Sequence, residues 1–229
     1  MFKIIKPALV AGLAIAAISA PASAQVNGMA TSNIGLTVAN SQALQTGFQQ
    51  INTTYQSQIT QVEQLNQQRM QLVQQLDTNN DGNLDEAEQA VLNESNPTVQ
   101  QIGQLESQIG ELQRPTQLAR LYVVNQVGQN YAAAVDQVMT NRDIKVMLAP
   151  EAVDFAVEGL DVTALVVEAL NARLPSVSIT PPQGWQPNQA TVELMQEVQR
   201  IYAIFAQQQA AQAQQQGGQA ASGEEVRRN

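Results

Sequence analysis

The stretch Asp77-Thr78-Asn79-Asn80-Asp81-Gly82-Asn83-Leu84-Asp85-Glu86-Ala87-Glu88 lies between two long runs of apolar residues at helical spacing. Upstream, Phe48, Ile51, Tyr55, Val62, Leu65, Leu72 and Leu76 follow one register, which Gln58 and Arg69 interrupt. Downstream, Ile102, Leu105, Ile109 and Leu112 repeat the pattern, followed by Leu121, Val124, Tyr131, Val135 and Val138. Steps of three and four line one helix face, and an average of three and a half gives a coiled-coil seam. Two amphipathic helices joined by a polar turn fold back antiparallel. Residues 41–141 are therefore expected to form a slender arm, reaching about 50 Å for about 34 residues of each limb. Its remaining surface is rich in Gln, which tolerates helix and carries no charge.

The tip stretch fits the calcium-loop pattern D-x-[DN]-x-[DN]-G-x5-E throughout. Asp77, Asn79 and Asp81 place oxygen ligands at loop positions one, three and five. Asn83 offers its backbone carbonyl, Asp85 acts through water, and Glu88 can bind with both oxygens. Gly82 permits the sharp turn, and Leu84 stands where such loops put an apolar anchor. A hairpin tip uses Asn, Asp and Gly anyway, but that explains the composition and not Glu88 in register. No second loop of this kind occurs in the chain, so the site is expected to be weak and unpaired.

The N-terminal residues carry the marks of export. Lys3 and Lys6 flank a short basic region, residues 8–20 are apolar but too few to span a bilayer comfortably, and Ala22-Ser23-Ala24 is a cleavage signal. Residues 1–24 are thus expected to be a signal peptide, with cleavage after Ala24. Its loss removes two lysines, leaving 9 basic against 20 acidic residues and moving the net charge from −9 to about −11. So acidic a chain has little affinity for nucleic acid, which needs clustered Lys and Arg. No later apolar run is long enough for a membrane span. The chain holds no His and no Cys. That removes the commonest general base, the thiol nucleophile, the usual zinc ligands and any disulfide framework. No enzyme activity is expected.

Residues 25–40 combine a small-residue lead with an alternating run, Ile34-Gly35-Leu36-Thr37-Val38-Ala39, that reads as a strand. Ser41 fits an N-cap for the helix that opens the arm. Pro97 belongs in a first helical turn, capped by Asn96 or Ser95. Pro115 should kink the returning limb or restart it. Over residues 142–174, Ile144-Lys145-Val146-Met147-Leu148 reads as a strand, and Ala152-Val153-Asp154-Phe155-Ala156-Val157 as a second one pairing back. A helix follows over residues 164–171, with Asp161 or Thr163 at its start. Residues 175–187 form a proline-rich connector whose Trp185 is expected to pin it onto the sheet domain. Residues 188–214 resume as a helix with Val192, Met195, Val198, Ile201, Tyr202 and Phe205 on one side, and residues 215–229 are expected to be disordered.

The order of these elements resembles the Skp, or OmpH-like, family of periplasmic chaperones. The resemblance rests on residues 33–41 and more firmly on residues 144–156 and 160–163, and covers roughly residues 33–174. It implies a trimer whose strands form a central barrel and whose arms enclose unfolded outer-membrane proteins without ATP. The better-studied members are strongly basic, so electrostatic capture of clients does not carry over to this acidic chain. Residues 176–229 extend past the family's usual end.

The fold class expected is therefore α+β: a long antiparallel coiled-coil hairpin inserted between strands of a small oligomeric β core, with a C-terminal helical extension. The expected function is that of a periplasmic homotrimeric holdase for unfolded outer-membrane β-barrel proteins, with calcium at the arm tip. Most apolar residues of the arm hold its two helices together, which leaves Ile59, Met70 and Val73 beside the seam as candidate client contacts. The alternative is a calcium-binding envelope protein with an interaction or spacer role and no chaperone activity.

Overall fold

The computed structural model describes residues 28–77, 88, 96–155 and 159–225, with side chains as far as Gln212. The proposed signal peptide, residues 1–24, lies outside them. The first element is strand β1 (Met29–Thr31), and the run expected as a strand is instead helix α1 (Ile34–Ala39). Asn33 is the physical reason. Its side-chain oxygen accepts from the Leu36 N–H at 2.8 Å, and its carbonyl oxygen accepts from the Thr37 hydroxyl at 2.8 Å. Asn is among the best N-caps, and once the cap forms the next turn closes at helical pitch. Gly35, Thr37, Val38 and Ala39 are all buried, so this short helix is covered on several sides and shows no alternation.

Ser41 caps the next helix as expected, its hydroxyl accepting from the Leu44 N–H. The outgoing limb is α2 (Gln42–Thr54) and α3 (Gln56–Leu76), separated by Tyr55. The returning limb is a single helix, α4 (Pro97–Arg142). Asn96 is its cap, accepting from the Thr98 N–H at 2.9 Å, with Pro97 in the first turn. Pro115 does not restart α4. The ring removes one helical hydrogen bond, yet the helix continues through it with Thr116 and Ala119 buried beside it. Asp143 ends α4 in the left-handed region with φ 55°, a conformation Asp tolerates better than most residues.

Strand β2 (Val146–Leu148) pairs in parallel with β1, in the register Met29 to Val146, Ala30 to Met147 and Thr31 to Leu148. The arm is thus inserted between two paired strands, as the order of elements requires. Residues 152–155 supply no part of the expected returning strand. Pro150–Ala152 is one turn of 3-10 helix, Val153, Asp154 and Phe155 belong to no strand, and residues 156–158 lie outside the described ones. Pro150 has no N–H to lend a ladder and favours the turn. Thr31 finds its second neighbour at Asp161 instead: its N–H donates to the Leu160 carbonyl and its own carbonyl accepts from the Val162 N–H, both at 2.9 Å. The next helix, α5 (Thr163–Arg173), starts where the Asp161 carboxylate accepts from the Thr163 N–H at 2.8 Å.

The core of the described residues is helical. Leu44, Val123, Val127, Val166 and Leu170 from α2, α4 and α5 are fully buried, and so is Val198 of the last helix, α6 (Gln189–Glu225). Met195 and Ile201 of α6 join them. Trp185 packs edge-on against Tyr122 of α4, ring centroids 5.1 Å apart, so the connector is pinned to the long helix and not to the sheet. Helix α6 runs on past Gln215, where composition predicts disorder, because Gln and Ala hold helical geometry at little cost. Residues 226–229 lie outside the described ones.

Candidate functional site

Two helices alone can cover only one side of each other, and the arm shows the consequence. Along α3 and the first half of α4, Val62 and Ile109 are buried, whereas Leu65, Leu72, Leu76, Ile102, Leu105 and Leu112 stay half-buried. Arg69, which interrupts the seam in sequence, reaches across it to Glu106 with an Nη1 to Oε1 distance of 3.3 Å. Both side chains are well exposed, so the pair contributes little stability.

Two clefts open along this seam. The one nearer the core has a volume of about 660 Å³. Ile59, Val62 and Leu112 form its apolar part, and Gln56, Gln58, Gln113 and Gln117 its amide part. Arg120 stands at its edge, with its guanidinium 6.0 Å from the centre of the Phe48 ring and Nη2 3.0 Å from the Asn52 Oδ1. The second cleft, nearer the tip, has a volume of about 360 Å³. Leu72 and Leu105 are its apolar residues, and every other lining residue is Gln: 68, 71, 75, 101, 104 and 108. Sequence reasoning took the Gln content as a solubilising surface. The missed signal was its pairing with Leu72 and Leu105 at helical spacing on both limbs.

Of the three client-contact candidates, Ile59 lines the first cleft, while Met70 and Val73 do not. Val73 is half-buried and Met70 is 54% exposed.

At the tip, Asp77 and Glu88 are the two loop ligand candidates that the structure describes. Both are buried, at 7% and 4% exposure. Asp77 leaves α3 in an extended conformation as its C-cap. Asn79, Asp81, Asn83 and Asp85 lie outside the described residues. Among the described residues no group of three or more Asp, Glu, His or Cys could hold a metal ion.

Away from the arm, two tyrosines tie the ends of the chain to the core. The Tyr131 hydroxyl donates to the Ser32 carbonyl at 3.4 Å. Burial pushes its pKa up, an effect opposed by the Ser32 side chain and reinforced by the Asp161 charge. Burial also raises the pKa of Tyr202. A larger cleft of about 810 Å³ lies between α4 and α6, where Asn125, Gln129, Glu193 and Arg200 mix both charge signs with amides.

No protein-family model matches the chain, and no curated protein matches it. A crystal structure from Caulobacter crescentus CB15, named as an outer membrane chaperone (OmpH-like), is 20% identical to it. The match covers 68% of this chain and 90% of that one, with a TM-score of 0.37. So loose an overlay carries no argument about fold or function. Among the described residues no helix is long and apolar enough to cross a membrane.

Proposed function

We propose that this chain is a periplasmic, ATP-independent holdase that keeps unfolded outer-membrane proteins soluble. The observation that carries the reading is the half-covered apolar seam of the arm. A two-helix arm that hides Val62 and Ile109 but leaves Leu72, Leu105 and Leu112 half-open offers many weak contacts and no deep pocket. Weak, distributed contact suits a protein that must hold a chain without folding it. The order of strand, arm, strand and helix, shared with OmpH-like chaperones, is the sequence feature that agrees with it.

The working form in this proposal is a homotrimer. Strand β2 has a strand neighbour on one side only among the described residues. Met29 and Val146 of that sheet are exposed, and so is Phe155 in the segment after it, to 96%. Large apolar groups beside an unpaired strand edge are a ready surface for other copies. Calcium is proposed at the arm tip on the strength of the loop motif and the burial of its first and last carboxylates, Asp77 and Glu88. When bound, the ion would neutralise the loop's clustered charges; Asp77, Asn79, Asp81, Asn83, Asp85 and Glu88 would hold it.

The deciding experiment dilutes a urea-unfolded outer-membrane barrel into buffer with the mature protein, without nucleotide, and follows light scattering. Suppressed scattering supports the holdase. Unchanged scattering at a molar excess of trimer overturns it and leaves a calcium-binding envelope protein with a spacer role.

A further inference from the structure

We infer that the two clefts of the arm recognise the peptide backbone of an extended, uncharged stretch of polypeptide through their glutamine amides. The inference rests on the holdase reading and names the chemistry by which the arm would hold its client. None of the residues lining the cleft nearer the tip is charged, and the cleft nearer the core has one residue of each sign, Glu63 and Arg120. A charged ligand group would lose water in the tip-side cleft without gaining a counter-charge. The occupant that fits must present neutral donors and acceptors together. A Gln side chain offers both from one carboxamide, and so does a peptide unit, so amide can pair with backbone whatever the side chains are.

The amides are available for this. The side-chain amides of Gln68, Gln71, Gln75, Gln101, Gln104 and Gln108 make no hydrogen bond among the described residues. Leu72 and Leu105 beneath them give the occupant's side chains apolar surface. No aromatic ring lines either cleft, so the flat platforms on which sugar rings stack are missing. Ile59 in one cleft and Leu72 in the other are about 20 Å apart by helical rise, the span of about six residues of extended chain. One client segment can therefore occupy both clefts.

The test uses the full mature protein and a short fluorescein-labelled peptide of Ser, Thr, Gly and Val, followed by fluorescence anisotropy. A second peptide has the same side chains with alternate backbone nitrogens methylated, which removes donors while leaving the carbonyls and side chains in place. The variant Q71E/Q75E/Q104E/Q108E alters the cleft; Q61E/Q64E/Q67E/Q74E adds the same charge to exposed positions outside it. The methylated peptide and the cleft variant should each weaken binding about tenfold or more, since tenfold corresponds to little more than one hydrogen bond of about 1 kcal/mol. The control variant should bind as the wild type does, and added salt should change little. Equal binding of both peptides overturns the inference, as does equal binding by both variants or displacement by a neutral oligosaccharide. A change in the mass of the cleft variant in solution would show that the clefts hold another copy's arm, which also overturns it. If the wild type suppresses client aggregation but ignores the peptide, the holdase reading survives and this inference alone fails.

Discussion

The Tyr202 hydroxyl donates to the Ala39 carbonyl oxygen at 2.9 Å, joining the last helix to the first across 163 positions of chain. The acceptor lies at the end of α1, where a helix leaves its carbonyls without internal partners. One hydroxyl therefore satisfies an otherwise unmade bond and fixes α6 in place.

That bond makes stability sensitive to alkali. Burial raises the pKa of Tyr202 above its ordinary value of 10.0. The folded state then holds the phenol proton where the unfolded state has lost it. Its contribution is fully present below pH 10 and is lost as pH rises through the raised folded value. Tyr202→Phe should cost about 1 kcal/mol at neutral pH. It should also flatten the loss of stability in urea titrations above pH 10, leaving the part due to Tyr131. An unchanged alkaline slope in the variant would contradict the assignment.

Glycines of the arm should divide by what surrounds them. A Cβ at Gly47 would meet Val123 Cγ1 at 3.0 Å and Val177 Cγ2 at 3.1 Å, both in the packed core. Gly103 and Gly110 have nothing within 4 Å. Gly47→Ala should destabilise by about 1–2 kcal/mol through crowding. Gly103→Ala and Gly110→Ala should each stabilise by roughly 0.5–1 kcal/mol, the helix-propensity gain over glycine. Thermal unfolding of the three variants gives the signs directly.

Helix α6 should be required for the fold, although residues 176–229 have no role in the family that the sequence resembles. Val198 is fully buried in the core, and Val198→Ala should cost about 2 kcal/mol for two lost methyl groups and the space they leave. Truncation after Pro187 removes Met195, Val198 and Ile201 together and should give a protein that no longer unfolds cooperatively. A truncated chain with an intact denaturant transition would show that α6 is an accessory.

Calorimetry on the calcium loop should give a dissociation constant on the order of 10⁻⁴ to 10⁻³ M, because an unpaired loop lacks the partner that pre-organises its ligands. Magnesium should substitute poorly, since it resists dehydration and demands stricter octahedral geometry. Glu88→Gln should abolish the heat while leaving oligomer mass unchanged. Identical curves for wild type and variant would leave only a polar turn.

What the sequence showed well was what depends on near neighbours. The caps at Ser41 and Asn96, Pro97 in its first turn and the helical spacing from Phe48 to Leu76 are all decided within a few residues. Ile34–Ala39 failed for lack of length: six small and apolar residues fit either period, and Asn33 decided between them. Strand β1 was invisible because three residues make a strand only beside a partner, and its partners, Val146–Leu148 and Asp161, lie far along the chain. The same holds for α6, whose apolar side was legible while its seat on α1 was not. In the clefts, each Gln was an ordinary surface residue until the two limbs were brought face to face.

The parallel pairing of β1 with β2 also orders events in time. A ribosome makes Met29 before the arm and Val146 only after it, so β1 must wait for the whole arm before any partner exists. Each limb's helical contacts are local, and the seam between the limbs joins residues such as Arg69 and Glu106, 37 positions apart, closer in sequence than the two strands. Nearer contacts form before distant pairings, which wait on loop closure. Each new molecule should thus raise its arm first and close its core last. For part of its own life it is an unfolded chain in need of the protection it is proposed to give.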